Sequence, residues 1–401
     1  MLRIIGEVTL KRVRLLVALG HLDHELAGLA VDEAFRDYAD AVGAAQDKLL
    51  ATHFIDENGE VRTSTKPNAE LRAAALEYGT TLREATDRLV KDIAAAGATA
   101  PVPADRVEAD LYRAIAASVY QSALEGAGDS SHPGYDVLRG YDEALAIDPV
   151  IRAAADRAAH DEGASKAFGA ALATYRDGGR KIGRACVERM GEYCFESFTF
   201  SDPSRPPPAD ADKLRAQSRA ARHEWRVLNE QCADAIEVFL RSGGDEVPAA
   251  AWRTRNYAVV AQTIVSSASW AQANVDSAAA LGVSDEESKA MQAIVRDSLV
   301  ERAARVKAVV VAFRRWEEEA RKANQSVAQM DAPAELLTAD DKRAATEKSI
   351  RDRVLACVRS SLSKSDLEAV QQPIDPGNFW RQMYEQRTQQ ASDQPKQEEH
   401  R

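Results

Sequence analysis

His21 and His24 lie three residues apart and Glu25 falls one turn beyond His21, so on a helix the three side chains occupy neighbouring positions. Two imidazoles and a carboxylate hold a divalent ion once a second helix adds donors, which makes His21, His24 and Glu25 the metal candidates. The simpler reading of the same residues is a polar stripe on a helix surface. His160-Asp161-Glu162 and His223-Glu224 are poorer sets, because adjacent side chains diverge around a helix. The Glu-x-x-His pairs of carboxylate-bridged metal bundles do not occur, nor does a His-Glu-x-x-His helix, a Walker loop or a dinucleotide glycine pattern. The expectation is a chain without a cofactor or a catalytic constellation. A helical enzyme or metal-binding protein using scattered His, Asp and Glu is the alternative.

A second group has the chemistry to hold an anion. In Gly178-Gly179-Arg180-Lys181-Ile182-Gly183-Arg184, glycines that would expose backbone N–H groups sit beside cations, with Arg176 and Arg189 on either side. Arg180, Lys181 and Arg184 are the anion-binding candidates. The competing reading is a helix bent at the glycines and carrying solvated charges.

A third signal is a shortage of charge. From Asn256 to Val283 only Asp276 is charged, in a chain where 29% of residues are. Gln262, Thr263, Ser266, Ser267, Ser269, Gln272, Asn274 and Ser277 supply neutral polar groups instead. Such a helix should be shielded from water, either as the centre of a bundle or as a groove or self-association face. Trp252, Tyr257 and Trp270 would anchor that face, and Phe313 and Trp316 on the next helix join them as interaction candidates.

The elements that must position these residues read as helices. Ser284 with Glu287 forms a capping box opening one uninterrupted helix to Met330, which at about 1.5 Å per residue would span roughly 70 Å. Leu299, Val306, Phe313, Ala320 and Val327 hold one heptad position and Val295, Val309, Trp316, Ala323 and Met330 the other. A second repeat sets Leu214, Ala221, Leu228 and Ala235 against Ser218, Trp225, Cys232 and Phe239, and Gly243-Gly244 close that helix. Other helices are expected from Val8 to His53, from Thr65 to Gly97, after Pro103, before Asp148-Pro149, from there to Tyr193 with a bend at Gly178-Gly179, from Pro248 to Gly282, and from Thr338 with Asp341. The fold class is therefore all-α, an elongated array or bundle of about nine antiparallel helices, several long, with coiled-coil-like packing. Residues 1–147 form an N-terminal helical region, 148–372 a long-helix bundle, and 373–401 a tail without periodicity.

Tyr135, Leu138, Tyr141, Ala144, Leu145, Asp148 and Pro149 are similar to the closing half of a tetratricopeptide repeat. The similarity covers about 15 residues, no first half precedes them and no second copy follows, so a repeat array is not expected.

Composition narrows the function. Asp and Glu outnumber Lys and Arg 63 to 52, giving a net charge of -11 that disfavours a nucleic-acid partner. No apolar run approaches the roughly 18 residues of a membrane span. Lys11, Arg12 and Arg14 precede an apolar core too short for a signal sequence, so the cytoplasm is the default compartment. Cys186, Cys194, Cys232 and Cys357 are too scattered for a disulfide framework and read as buried small hydrophobes. If the helices flanking Pro206-Pro207-Pro208 pair antiparallel, Cys232 faces about residue 177 and misses Cys186 by roughly 13 Å of helix rise. The functional expectation is a non-catalytic helical scaffold or interaction protein with a protein partner or self-association. An extracytoplasmic chaperone or adaptor whose signal sequence is missing is a further alternative. The Ala-, Arg- and Asp-rich composition suits a bacterial source.

Overall fold

Alanine-rich stretches with apolar residues at helical spacing, punctuated by Gly and Pro, dictate helices. The computed structural model describes residues 26–53, 67–96, 104–122, 136–200, 206–260, 270–323 and 330–371, and every regular element among them is a helix. In order they are α1 (Leu26–His53), α2 (Asn68–Ala96), α3 (Ala104–Ser122), α4 (Val137–Ile147), α5 (Pro149–Ala159), α6 (Glu162–Glu188), α7 (Met190–Phe200), α8 (Ala211–Ser242), α9 (Glu246–Val260), α10 (Trp270–Ala280), α11 (Asp285–Asp297), α12 (Leu299–Lys322), α13 (Ala334–Val358) and α14 (Lys364–Gln371).

These fourteen helices exceed the expected count of about nine because long expected helices are divided. The stretch from Pro149 is broken at His160-Asp161 and again at Arg189, and it is not broken at Gly178-Gly179. His160 caps α5 with N–H bonds to Ala158 and Arg157, and Glu162 then supplies the acidic first turn that favours a fresh start. The helix from Ser284 opens with the expected capping box but is interrupted at Ser298, whose Oγ donates to the Ile294 carbonyl at 2.7 Å. That back-bond competes with the helix ladder and bends it. α12 then ends at Lys322, and Met330 lies beyond it in a bend. Thr338 is inside α13, which begins after Pro333, since burial of Leu336 carries the helix one turn earlier than the Thr338 cap. Glu196, in a stretch that alternates like a strand, sits in α7.

The chain divides into two units, each discontinuous in sequence: residues 1–142 with 162–235, and residues 143–161 with 236–401. This differs from the contiguous regions expected from punctuation. Helices α4 and α8 contribute residues to both.

In the first unit α2 packs on α1, α3, α6 and α7. Its Leu71, Ala75, Tyr78, Leu82, Leu89 and Ile93 recur at steps that fill one face, and all are buried. Two crossings are close enough to require glycine. A Cβ on Gly183 of α6 would collide with the Tyr112 carbonyl of α3, and one on Gly79 of α2 would collide with the Gly191 backbone of α7. α6 and α8 face each other with Gly178 against Leu228, and the Tyr175 hydroxyl oxygen lies 2.8 Å from Asn229 Oδ1. That register agrees with the antiparallel expectation to within about one helical turn. None of the four cysteines is in a disulfide; Cys186, Cys194 and Cys232 are buried and Cys357 is half-buried.

The second unit is organised on α12 and α13. Tyr257 of α9, Val306, Val309, Val310, Ala312, Phe313 and Trp316 of α12 and Leu336 of α13 form one cluster. Val275 and Ala278 of α10, Met291 of α11, Ile350, Val354, Leu355 and Val358 of α13 and Val370 of α14 form another. The heptad seam of α12 from Val306 to Ala320 is thus filled from within the unit by α9 and α13. Gly244 and Gly282 have φ of 86° and 78°, the left-handed conformation that ends α8 and α10.

Candidate functional site

Charged side chains in an apolar interior are costly unless paired, so their location marks where the sequence spends stability on something other than packing. In the first unit they gather around Arg113. On α3, Ala109, Tyr112, Arg113 and Ala116 share a buried stripe, which carries the guanidinium inside. Its Nε donates to Asp136 Oδ2 at 2.9 Å, and Nη1 lies 3.1 Å from Asp110 Oδ1. The guanidinium also stands over the Tyr175 ring, 5.6 Å from its centroid.

Asp136 joins the helices. Its Oδ1 accepts from the backbone N–H of Leu138 at 3.1 Å and of Arg139 at 3.3 Å, capping α4, and from the Tyr175 hydroxyl at 3.0 Å. Asn229 of α8 completes the set: its Oδ1 accepts from Val137 N at 2.9 Å and its Nδ2 donates to the Trp225 carbonyl at 2.9 Å. Side chains from α3, α6 and α8 and the backbone start of α4 therefore meet at one carboxylate and one amide.

The electrostatics follow from burial and the surplus of acid. Desolvation works against the Arg113 charge, but Asp136 and Asp110 outweigh it and hold its pKa well above the ordinary value. Burial raises Tyr175 well above the phenolic range, with Asp136 adding to it. Arg176, 3.5 Å from Asp110 at its Nε, is pulled down by burial. Burial pushes Asp142 up to about 6; Arg113 and Arg176 oppose the rise, while Asp136 and Asp110 support it. The Cys232 thiol is pushed up to about 12, mainly by burial. A thiol so placed is inert, and the group that exchanges a proton near neutrality is Asp142.

The second unit has its own hub. Glu237 pairs with Arg253, with Lys307 at 3.1 Å and with Arg241 at 2.8 Å. Burial would raise the Glu237 pKa, but these cations bring it below the ordinary value. Arg302, at a heptad position of α12, pairs with Glu347 of α13.

The residues expected to act are distributed otherwise. Arg180 and Lys181 both pair with Asp177, at 2.7 and 2.9 Å, while Arg184 lies 3.7 Å from Glu108 and over the Tyr112 ring. Their glycines serve close contacts with Leu228, Arg113 and Tyr112. Trp252, Tyr257, Phe313 and Trp316 are buried, with Phe313 and Trp316 in edge contact at 5.7 Å, so they pack the second unit and offer no exposed anchor. Trp270 begins α10. His21, His24 and Glu25 lie outside the described residues, as do Gln262 to Ser269. Among the described residues no group of three His, Cys, Asp or Glu is placed to hold a metal ion. No described helix is long and apolar enough to cross a membrane.

Arg113, Asp136, Asp142, Tyr175 and Asn229 carry no motif. The available signal was a lone arginine on the apolar stripe of α3, since a charge at a core position demands a partner. Comparison of the chain with protein-family models, curated proteins and solved structures yields no match.

Proposed function

We propose that this chain is a non-catalytic helical scaffold, its long helices packed side by side as in coiled coils, that works through protein contact and first of all with a second copy of itself. The observation that carries this reading is the corner between α4 and α5. Ile147 is 65% exposed and Val150 50% exposed, on a turn that is unusually well fixed. Asp148 caps α5 by accepting from Val150 N at 2.9 Å and Ile151 N at 3.2 Å. Arg152 reaches back to donate to the carbonyls of Leu145 and Ala146, both at 2.7 Å. Behind the corner Ala144, Ile151 and Ala154 are buried. Two aliphatic side chains exposed on a backbone fixed by these bonds lose little backbone freedom on association, which favours a protein partner. The net charge of -11 favours the same class of partner over nucleic acid.

The test is light scattering behind size-exclusion chromatography over a range of concentrations, for the parent and for Ile147→Lys with Val150→Glu. Both substitutions suit their helix ends, a cation at the C-terminus of α4 and an acid in the first turn of α5. The expected parent mass rises above 43.7 kDa with concentration and the variant stays at it. A parent that remains at the monomer mass throughout overturns the self-association.

A further inference from the structure

Five arginines are buried among the described residues, and four of them sit in ion pairs: Arg113 with Asp136, Arg253 with Glu237, Arg302 with Glu347 and Arg343 with Asp340. The fifth, Arg222 on α8, is only 7% exposed, yet its Nε makes no hydrogen bond and no ion pair among the described residues holds its guanidinium. A buried guanidinium without an ion pair is costly, and an orphaned buried nitrogen of this kind calls for an explanation such as an ion, a water or a ligand.

One turn before Arg222 on α8, Ser218 donates to Glu196 of α7, and Gln217 accepts from Arg189 Nη2 at 3.2 Å. Among the described residues Arg189 makes its hydrogen bonds to the neutral Gln217 and Tyr193, whose ring centroid lies 5.0 Å from its guanidinium. The neighbouring carboxylates are occupied, since Arg72 pairs with Glu192 at 3.0 Å and with Asp210 at 2.9 Å. That leaves Glu196 as the acid within electrostatic reach of Arg222, Arg189 and Arg215. Burial pushes its pKa up, against the Ser218 bond and the three arginines.

We propose that Arg222 of α8 and Arg189, which precedes α7 and bonds Gln217 in the turn of α8 before Arg222, bind an oxyanion of the phosphate class. Guanidinium forks match the paired oxygens of a phosphate group, and two of them offer more donors than one carboxylate uses. The site uses Arg189, which flanks the glycine segment of α6, and none of that segment's own Arg180, Lys181 and Arg184, which are paired with Asp177 and Glu108. It does not depend on the scaffold reading.

The test is thermal unfolding of the full chain with inorganic phosphate, with phenyl phosphate and with sodium chloride at matched ionic strength. The parent is expected to gain melting temperature in phosphate over chloride. Arg222→Met should lose that gain while melting, without phosphate, at or above the parent, because it replaces an unpartnered buried charge by an apolar chain of similar size. Arg189→Gln is the second variant, expected to weaken the apparent phosphate affinity about tenfold, read as a displaced midpoint of the phosphate titration. A gain with phenyl phosphate equal to that with phosphate identifies the phosphate group of a larger molecule as an acceptable source; a gain with phosphate alone assigns the free ion. No phosphate-dependent gain in the parent, or an equal gain in parent and both variants, overturns the site.

Discussion

Replacing Asp142 by Asn should stabilise the first unit, by an amount that grows from about pH 4 and levels off above about 6. Asp142 is a carboxyl in a cluster that also contains Asp110 and Asp136, facing the guanidinium groups of Arg113 and Arg176. Burial and the two acids raise its pKa from 3.8 to about 6, the arginines notwithstanding. A folded-state value above the unfolded one means that the native state binds the proton more tightly. The stability this gives is fully present below about 3.8 and is lost as pH rises through about 6. Each tenfold change in proton affinity is worth about 1.4 kcal/mol, so ionised Asp142 penalises the native unit by about 3 kcal/mol, less where water screens its partly exposed oxygens. Asn keeps the shape of the protonated form. The parent and Asp142→Asn should therefore unfold with similar free energies near pH 4, with the variant ahead by about 1–3 kcal/mol at pH 8. Hydrogen exchange of peptides from α4 and α6 measures this locally, and peptides from α12 and α13 serve as an internal reference. Subtracting parent from variant cancels the titrating groups that do not interact with Asp142. A variant less stable than the parent at pH 8, or a difference that does not grow between pH 5 and 8, would refute the charge balance drawn around Arg113.

Three further expectations follow from particular contacts. Gly183→Ala drives a methyl into the Tyr112 carbonyl and should cost about 1–3 kcal/mol or more in denaturant unfolding, whereas Gly43→Ala on α1, with nothing within 4 Å, should gain about 0.5–1 kcal/mol. Arg113→Met strands buried Asp136 and should cost about 3–5 kcal/mol; adding Asp136→Asn, which keeps an oxygen to cap α4, should restore part of it in a double-mutant cycle. Native protein treated with a thiol reagent should label half-buried Cys357 first. Cys194 and Cys232, both pushed up to about 12 chiefly by burial, should label only on unfolding, and equal rates for all would refute the packing described.

Local chemistry was legible in the sequence wherever the deciding contact was itself local. The Ser284–Glu287 capping box, Gly244 and Gly282 past helix ends, and the buried Trp225 and Cys232 stripe of α8 all rest on neighbours within a turn or two. The antiparallel pairing of α6 with α8 was readable because a proline loop of known position sets its register. The site around Arg113 was not, since Asp136 is 23 residues away and Asn229 reaches Val137 across 92. The break at Ser298 was also hidden: serine in a heptad run is unremarkable until its hydroxyl turns back to Ile294 and accepts from Arg353. Apolar aromatics look alike in sequence whether they anchor a partner or fill a core, and Trp252, Phe313 and Trp316 fill a core.

The interleaving of the two units in sequence constrains how the chain is made. Residues 143–161 belong to the second unit, and their helix α5 packs on α9, which leaves the ribosome some ninety residues later. In the meantime residues 162–235 must emerge and complete the first unit around α2 and α3. The first unit can therefore close while α5 still waits for its neighbour, exposing Ile151 and Ala154 that the finished protein buries. No single cut releases either unit as a contiguous piece. Fragments ending near residue 147 would carry half of one interior and the unmatched start of the other, and are expected to need either a chaperone or the missing strand of chain supplied in trans.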